Sequence, residues 1–277
     1  MNYIAVHLHC SPELAEILMA ELALLPYDTF EEHETGISGY IDVSLFDEHA
    51  LLQVIDKYLP LGSIEIEKEE IERINWNEEW EKNYDPVRVD DQVIIKAIFH
   101  DISEKYPYEI VIHPKMSFGT GHHSTTYLMI RQQLKIDHKG KMVYDFGSGT
   151  GVLAIMAAKL GASKVVATDV DDWCIENSTE NFSLNHIDVS VRKGPVATLG
   201  LQEKAGIILA NINKNVLIDE MAHYNALLLA DGYLLLSGFY EQDIEDIKHK
   251  AGEFGLKMIN RDSRQDWAVL VFHKPSL

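Results

Sequence analysis

The 277-residue sequence predicts an α/β protein: a largely parallel, doubly wound sheet preceded by a smaller α+β unit. Three observations carry this expectation. From about Lys115 onward, helix-like and strand-like runs alternate, as in a parallel sheet with crossover helices. One short apolar strand runs into DFGSGTGVL, Asp145 to Leu153, a glycine-rich turn between a strand and a helix. Residues 1–69 read strand, helix, strand, strand, helix, strand, the order of a ferredoxin-like unit with a sheet on one side and two helices on the other.

Taken in order, Tyr3 to His9 alternates as a strand, and Pro12 to Leu24 has helical apolar spacing behind Ser11 as N-cap. Two strands, Tyr27 to His33 and Gly36 to Val43, flank a turn, Asp47 to Tyr58 is the second helix, and Ser63 to Glu69 is the closing strand. Residues 70–85 change character. Trp76 and Trp80 stand four apart among acids, which places both indoles on one face of a short linker helix. Beyond Pro86, Gln92 to Phe99 and Tyr108 to His113 read as strands leading into a second domain over 86–277. Its sheet has seven candidate strands: Met142 to Asp145, Val165 to Thr168, Val189 to Arg192, Gly206 to Ala210, Tyr233 to Gly238, Lys257 to Arg261 and Trp267 to His273. The last two, with no helix between them, form an antiparallel hairpin at the sheet's end.

The glycine turn carries chemistry. Gly147, Gly149 and Gly151 sit where a Cβ would block close backbone approach to a ligand. The dinucleotide pattern G-x-G-x-x-G requires its third glycine at position 152, which is Val152; the pattern here is G-x-G-x-G. That spacing resembles the S-adenosylmethionine loop of class I methyltransferases. Asp169 ends the next strand, 22 residues after Gly147, where a doubly wound fold places the partner of a ribose hydroxyl. An ordinary glycine turn and a helix-capping Asp would each satisfy half of this; the strand, the helix and the acid in register argue for a cofactor.

Composition narrows the class. No run approaches 18 apolar residues, and the start lacks a basic segment followed by an apolar core, so a membrane or secreted chain is not expected and a cytoplasmic one is. Cys10 and Cys174 lie far apart, which argues against a disulfide framework or a Cys-based zinc site. The 13 histidines include no H-E-x-x-H arrangement, so no metal is expected. Net charge is −20, and residues 1–85 hold 20 acids against 4 bases. A field of one sign keeps a chain soluble and also steers basic macromolecules toward it. Nucleic acid is disfavoured, since phosphate binding needs clustered Lys and Arg.

Four strings, INWNEEWEKNYDPVRV (Ile74 to Val89), FGTGHHSTT (Phe118 to Thr126), DFGSGTGVLAIMAAKLGA (Asp145 to Ala162) and ILANINKNVL (Ile208 to Leu217), resemble those of the ribosomal protein L-11 methyltransferases. With the acidic first domain, the resemblance covers essentially the whole chain. It implies a Rossmann-like class I methyltransferase fold with a seven-stranded sheet and a small ferredoxin-like substrate-recognition domain. It implies a monomer that uses S-adenosylmethionine to trimethylate amines, lysine or N-terminal α-amine, of that basic ribosomal protein. Thr126, Gly147, Asp169 and Asn211 are implied cofactor contacts; Gly149 and Phe118, from the same strings, complete the candidate set. Asn211, whose amide offers a donor and an acceptor, is the candidate catalytic residue. Thr126 begins a helix where backbone and side-chain donors converge. Phe118, Tyr240 and Trp267 are candidates to line a methylammonium pocket.

The chain departs from the family pattern at Ser148, at His122-His123-Ser124 and at Asn211-Ile-Asn-Lys214. A Lys214 ammonium beside a sulfonium would be repelled, so it is expected to point away. Two other readings compete: a different protein-lysine methyltransferase on the same catalytic domain, and a ribosome-assembly binder that keeps the cofactor fold without catalysis.

Overall fold

The structure, a computed structural model, describes residues 2–71, 84–115 and 119–276, and the chain divides into two compact units, Met1–Asn83 and Tyr84–Leu277. The linker helix expected over 70–85, with Trp76 and Trp80, falls mainly on residues 72–83, outside the described residues.

In the first unit, β1 (Tyr3–His9), α1 (Pro12–Leu22), β2 (Thr29–His33), β3 (Gly36–Asp42), α2 (Glu48–Tyr58) and β4 (Glu65–Ile71) follow the expected order. The sheet order is β2-β3-β1-β4, antiparallel throughout. Ser11 caps α1 by accepting from the Leu14 N–H, and Pro12 occupies its first turn, where a missing N–H costs nothing. Asp47 caps α2 by accepting from the N–H groups of His49 and Ala50. Strand alternation turns Val6, Leu8 and Ile37 onto Leu18, Leu22, Leu51 and Ile55. The opposite register positions leave His7, Ser38 and His33 on the other face, where Ser38 Oγ lies 2.6 Å from His7 Nδ1 and 2.7 Å from His33 Nε2. β2 starts two residues later than the alternation suggests, because Tyr27 closes a turn onto the Leu25 carbonyl. β4 runs to Ile71, two residues past the expected boundary at 69, held by the pairing of Tyr3 with Ile71.

The second unit opens with a small sheet: β5 (Val87–Val89), β6 (Val93–Ala97) and β7 (Tyr108–Ile112). Next come α3 (Ser124–Gln133), β8 (Met142–Phe146), α4 (Val152–Lys159), β9 (Lys164–Asp169), α5 (Asp172–Leu184), β10 (Ser190–Lys193), β11 (Ala205–Asn211), α6 (Lys214–Leu227), β12 (Leu228–Tyr240), α7 (Ile244–Glu253), β13 (Lys257–Arg264) and β14 (Trp267–His273). The seven-stranded sheet has the order β10-β9-β8-β11-β12-β14-β13. It is parallel except for β14, which pairs antiparallel with both neighbours. The expected terminal hairpin is present, with Gln265 and Asp266 both at positive φ in its two-residue turn, and its second strand inserts inside the edge. β12 begins five residues earlier than Tyr233, because Asp231 and Gly232 exchange backbone hydrogen bonds with Lys274.

Helices cover both faces of the sheet. Residues of α3, α4 and the small sheet form one core with Val143, Leu209 and Leu235, and residues of α6 and α7 form the other with Tyr144, Ile208 and Leu236. The core strand β11 is buried over its whole length, as a strand covered on two faces must be. α5 carries Asn177 and Asn181, and Asn185 caps its C-terminus, all at four-residue spacing and hence on one face. Asn185 bonds both backbone groups of Val111, Asn181 accepts from the His113 N–H, and Asn177 donates to the His113 carbonyl. This asparagine row satisfies an otherwise open edge of β7.

Candidate active site

β8 and β11 are neighbours although β9 and β10 lie on the far side of β8, so the order of connection reverses between them. Open α/β sheets hold ligands in the crevice at the carboxyl ends of strands flanking such a point. A cavity of about 460 Å³ lies there, lined among others by Gly147, Gly149, Asp169, Gly194, Asn211 and Trp267. That volume lies in the range of small-molecule sites.

The glycine turn is tied to the next strand. The N–H groups of Gly147 and Ser148 both donate to the Thr168 carbonyl at 2.9 Å, and that of Gly149 donates to Asp169 Oδ2 at 2.9 Å. Gly147 has φ +72°, and a Cβ there would meet Ile212 Cγ2 at 2.2 Å, so only glycine fits. Asp169 Oδ1 accepts from the N–H groups of Val170 (2.8 Å) and Asp171 (3.2 Å). Of about four acceptor positions on the carboxylate, three are therefore filled by backbone, leaving room for one further donor. Below the turn, Asp145 is fully buried; its Oδ2 accepts from the Ala154 N–H at 3.0 Å and its Oδ1 meets no partner. Burial first, and Asp169 second, push this carboxyl up to about 7.

Thr126, Ser148 and Asn211 border a small recess beside the main cavity, together with Gly119, Gly147, Val152 and Leu153. Thr126 Oγ1, Ser148 Oγ and Asn211 Oδ1 are each buried and meet no hydrogen-bond partner among the described residues. Buried polar atoms are costly unless satisfied, and three around one recess mark a place built for a polar ligand. The backbone donors expected beside Thr126 do not contribute: its N–H bonds the His123 carbonyl, and that of Thr125 bonds His123 Nδ1 as a helix cap. The hydroxyl alone remains. The same Nδ1 lies 2.7 Å from Thr125 Oγ1, and burial lowers the pKa of this imidazole.

Among the aromatic candidates, Trp267 lines the cavity and packs edge-on against His123 at 4.5 Å. Tyr240 packs on Trp267 at 4.1 Å but lines a separate shallow hollow with Glu241, Gln242 and Asp266. Phe118 lies outside the described residues. The Lys214 ammonium is held by Asp243 and Asp246, at 2.7 Å from each, and does not line the cavity. Asp169, Asp171 and Cys174 offer ligand atoms within 4.8 Å of one another, a metal-sized group that the sequence reading did not anticipate. Three backbone donors already occupy its one buried member.

A family profile described as ribosomal protein L11 methyltransferase (PrmA) matches residues 13–275. The chain belongs to this family. A ribosomal protein L11 methyltransferase of Porphyromonas gingivalis is 44% identical over 260 residues, covering 93% of this chain and 90% of that protein. One from Phocaeicola vulgatus is 41% identical over 266 residues and 95% of both chains. A crystal structure of a ribosomal protein L11 methylase from Lactobacillus delbrueckii subsp. bulgaricus aligns with a TM-score of 0.64 at 27% identity, over 70% of this chain and all of that one. As a member of this family, the chain is an S-adenosylmethionine-dependent methyltransferase of class I fold. The cavity fits that cofactor on three counts: the orphaned hydroxyl and amide atoms, the turn that excludes any Cβ at Gly147, and the ribose-type acid Asp169.

The sequence reading did not single out His123, Ser148 or Glu220 as site residues, yet all three border the cavity or its recess. For Ser148, its place between two loop glycines was a usable signal. Glu220 had none, since only the packing of α6 turns it toward the sheet's carboxyl edge.

Proposed function

We propose that the protein methylates amine groups of ribosomal protein L11, with the recess at Thr126, Ser148 and Asn211 holding the amino-acid end of the cofactor and Asp169 its ribose. The observation that carries this is the trio of buried, unpartnered polar atoms at the sheet's switch point, in a chain whose family is named for that substrate. S-adenosylmethionine supplies a methyl group already activated on a sulfonium.

The protein's task is to bring a neutral amine into line with it, about 3 Å away. Asn211 ends β11 at that edge, and its amide oxygen accepts from an N–H of the incoming amine, which leaves the nitrogen's lone pair free to attack the methyl. Trp267 offers a ring face to a methylated ammonium. The amine's proton leaves to solvent. An N-terminal α-amine, with pKa about 7.7 to 8.0, is about a tenth free at neutral pH, whereas lysine near 10.4 must be desolvated first. The α-amine is the more reactive acceptor on these grounds.

Labelled methyl transfer to purified large-subunit ribosomal proteins tests the reading. One labelled band at L11, mapped by mass to its amines, is the expected result. Labelling of other proteins would point to a broader lysine methyltransferase, and no labelling to a binder. Asn211→Ala is expected to lower kcat/KM by about 10-fold or more, the loss of one hydrogen bond in a desolvated site. Unchanged rate and cofactor affinity would remove Asn211 from this role.

A further inference from the structure

Gly147 and Asn211 border both the polar recess and the main cavity, so the two are adjacent. The recess carries the orphaned hydroxyls, whereas the wall around Asp169 changes character: Val170 follows the acid, Val196 and Pro195 follow β10, and Val216 faces in from α6. A wall of valines suits the apolar faces of a flat heterocycle and offers its edge nothing to bond. Asp171, Cys174 and Asn213 also line the cavity, and one further polar side chain stands beside Val196 and Val216. Glu220, one turn beyond Val216 and on the same face of α6, also lines the cavity.

The Glu220 carboxylate is held from two sides. Its Oε1 accepts from the Val196 N–H at 3.2 Å, and its Oε2 accepts from the Tyr224 hydroxyl at 2.8 Å. Each oxygen keeps a second acceptor position, and an ionised carboxylate has no proton to give. A fixed acceptor-only group at the rim of an apolar slot selects an edge that donates. The exocyclic amine of adenine donates; the 6-oxo group of hypoxanthine accepts and would face the carboxylate unpaired.

We infer that Glu220 reads the base of the cofactor, accepting a hydrogen bond from the 6-amino group of an adenine seated among Val170, Val196 and Val216. This rests on the cofactor reading above and assigns the base specificity to a residue on α6, outside the glycine turn and Asp169.

The test measures equilibrium binding, by calorimetry on the full-length protein, of S-adenosylhomocysteine and its 6-oxo counterpart S-inosylhomocysteine. The wild type is expected to favour the amino form by about 10- to 100-fold, the range for a hydrogen bond to a charged group. Glu220→Ala should weaken S-adenosylhomocysteine by a similar factor and change S-inosylhomocysteine by less than about threefold, so that the preference collapses. Glu220→Gln keeps the side chain's shape, retains one acceptor and offers an N–H to the 6-oxo group; it should narrow the preference without loss of fold. If Glu220 merely props the Val196 loop, both ligands weaken together and the ratio survives in either variant, which overturns the inference. A wild type that does not discriminate overturns it equally. Failure of the wild type to bind S-adenosylhomocysteine at all would instead bring down the cofactor reading on which it stands.

Discussion

At the scale of single residues, Asp145 is a carboxyl held where its charged form is disfavoured. It sits under the glycine turn with one oxygen bonded to the Ala154 N–H and the other unpartnered, and burial lifts its pKa from 3.8 to about 7. The folded state therefore binds a proton that the unfolded chain has released. A raised folded-state pKa contributes stability that is complete below about pH 4 and is lost as pH climbs through about 7. Asp145→Asn removes the titration while keeping an acceptor for Ala154. Its melting temperature should exceed that of the wild type at about pH 8.5, by an amount on the order of a few kcal/mol in stability, and the advantage should shrink toward about pH 5. Thermal melts of the ligand-free protein across that range check this. A difference that stays flat with pH would mean Asp145 titrates normally.

At the scale of elements, α5 does more than cover the sheet. Asn181 accepts from the His113 N–H at 2.7 Å and donates to the Thr150 carbonyl at 2.9 Å, so one side chain joins the end of β7 to the glycine turn. Asn181→Ala leaves the buried Thr150 carbonyl and the His113 N–H without this partner and is expected to cost about 1 to 3 kcal/mol, a fall in Tm of several degrees, and to loosen cofactor binding with it. Loss of stability with unchanged cofactor affinity would show that the turn does not depend on this tie. The elements themselves were legible in the sequence because their signals are local. Strand alternation, the Ser11 and Asp47 caps, and the G-x-G-x-G turn all act within a few residues. What escaped was mostly set by distant partners, the early start of β12 against Lys274 and the orientation of Glu220, whereas the short strand Val87–Val89 and the His123 cap carry local signals too weak to read. Of the three filled acceptor positions of Asp169, the one taken by the Gly149 N–H belongs to the distant class, since it comes from the turn closing back on the carboxylate, while Val170 and Asp171 are its own chain neighbours.

At the scale of the whole molecule, charge is divided unevenly. Residues 1–85 hold 20 acids and 4 bases of a chain whose net charge is −20. In the first unit, the alternation of β4 puts Glu65, Glu67 and Glu69 on the sheet face that carries His7 and His9, away from the helices. None of these exposed carboxylates contributes much to stability, so selection for stability is a poor reason for their number. A dense negative face raises the local concentration of a basic partner and speeds its encounter, and mobile ions weaken both effects. If L11 is recruited this way, raising NaCl from about 50 mM to about 300 mM should raise KM for the protein substrate several-fold and leave kcat within about twofold. Methylation of a small amine acceptor, which has no extended charge to steer, should hardly respond. Replacing Glu65, Glu67 and Glu69 together by Gln should mimic added salt, raising KM at about 50 mM and flattening its salt dependence, while S-adenosylhomocysteine affinity stays constant. A KM indifferent to salt in the wild type would show that the acidic unit keeps the chain soluble and does not draw in the substrate.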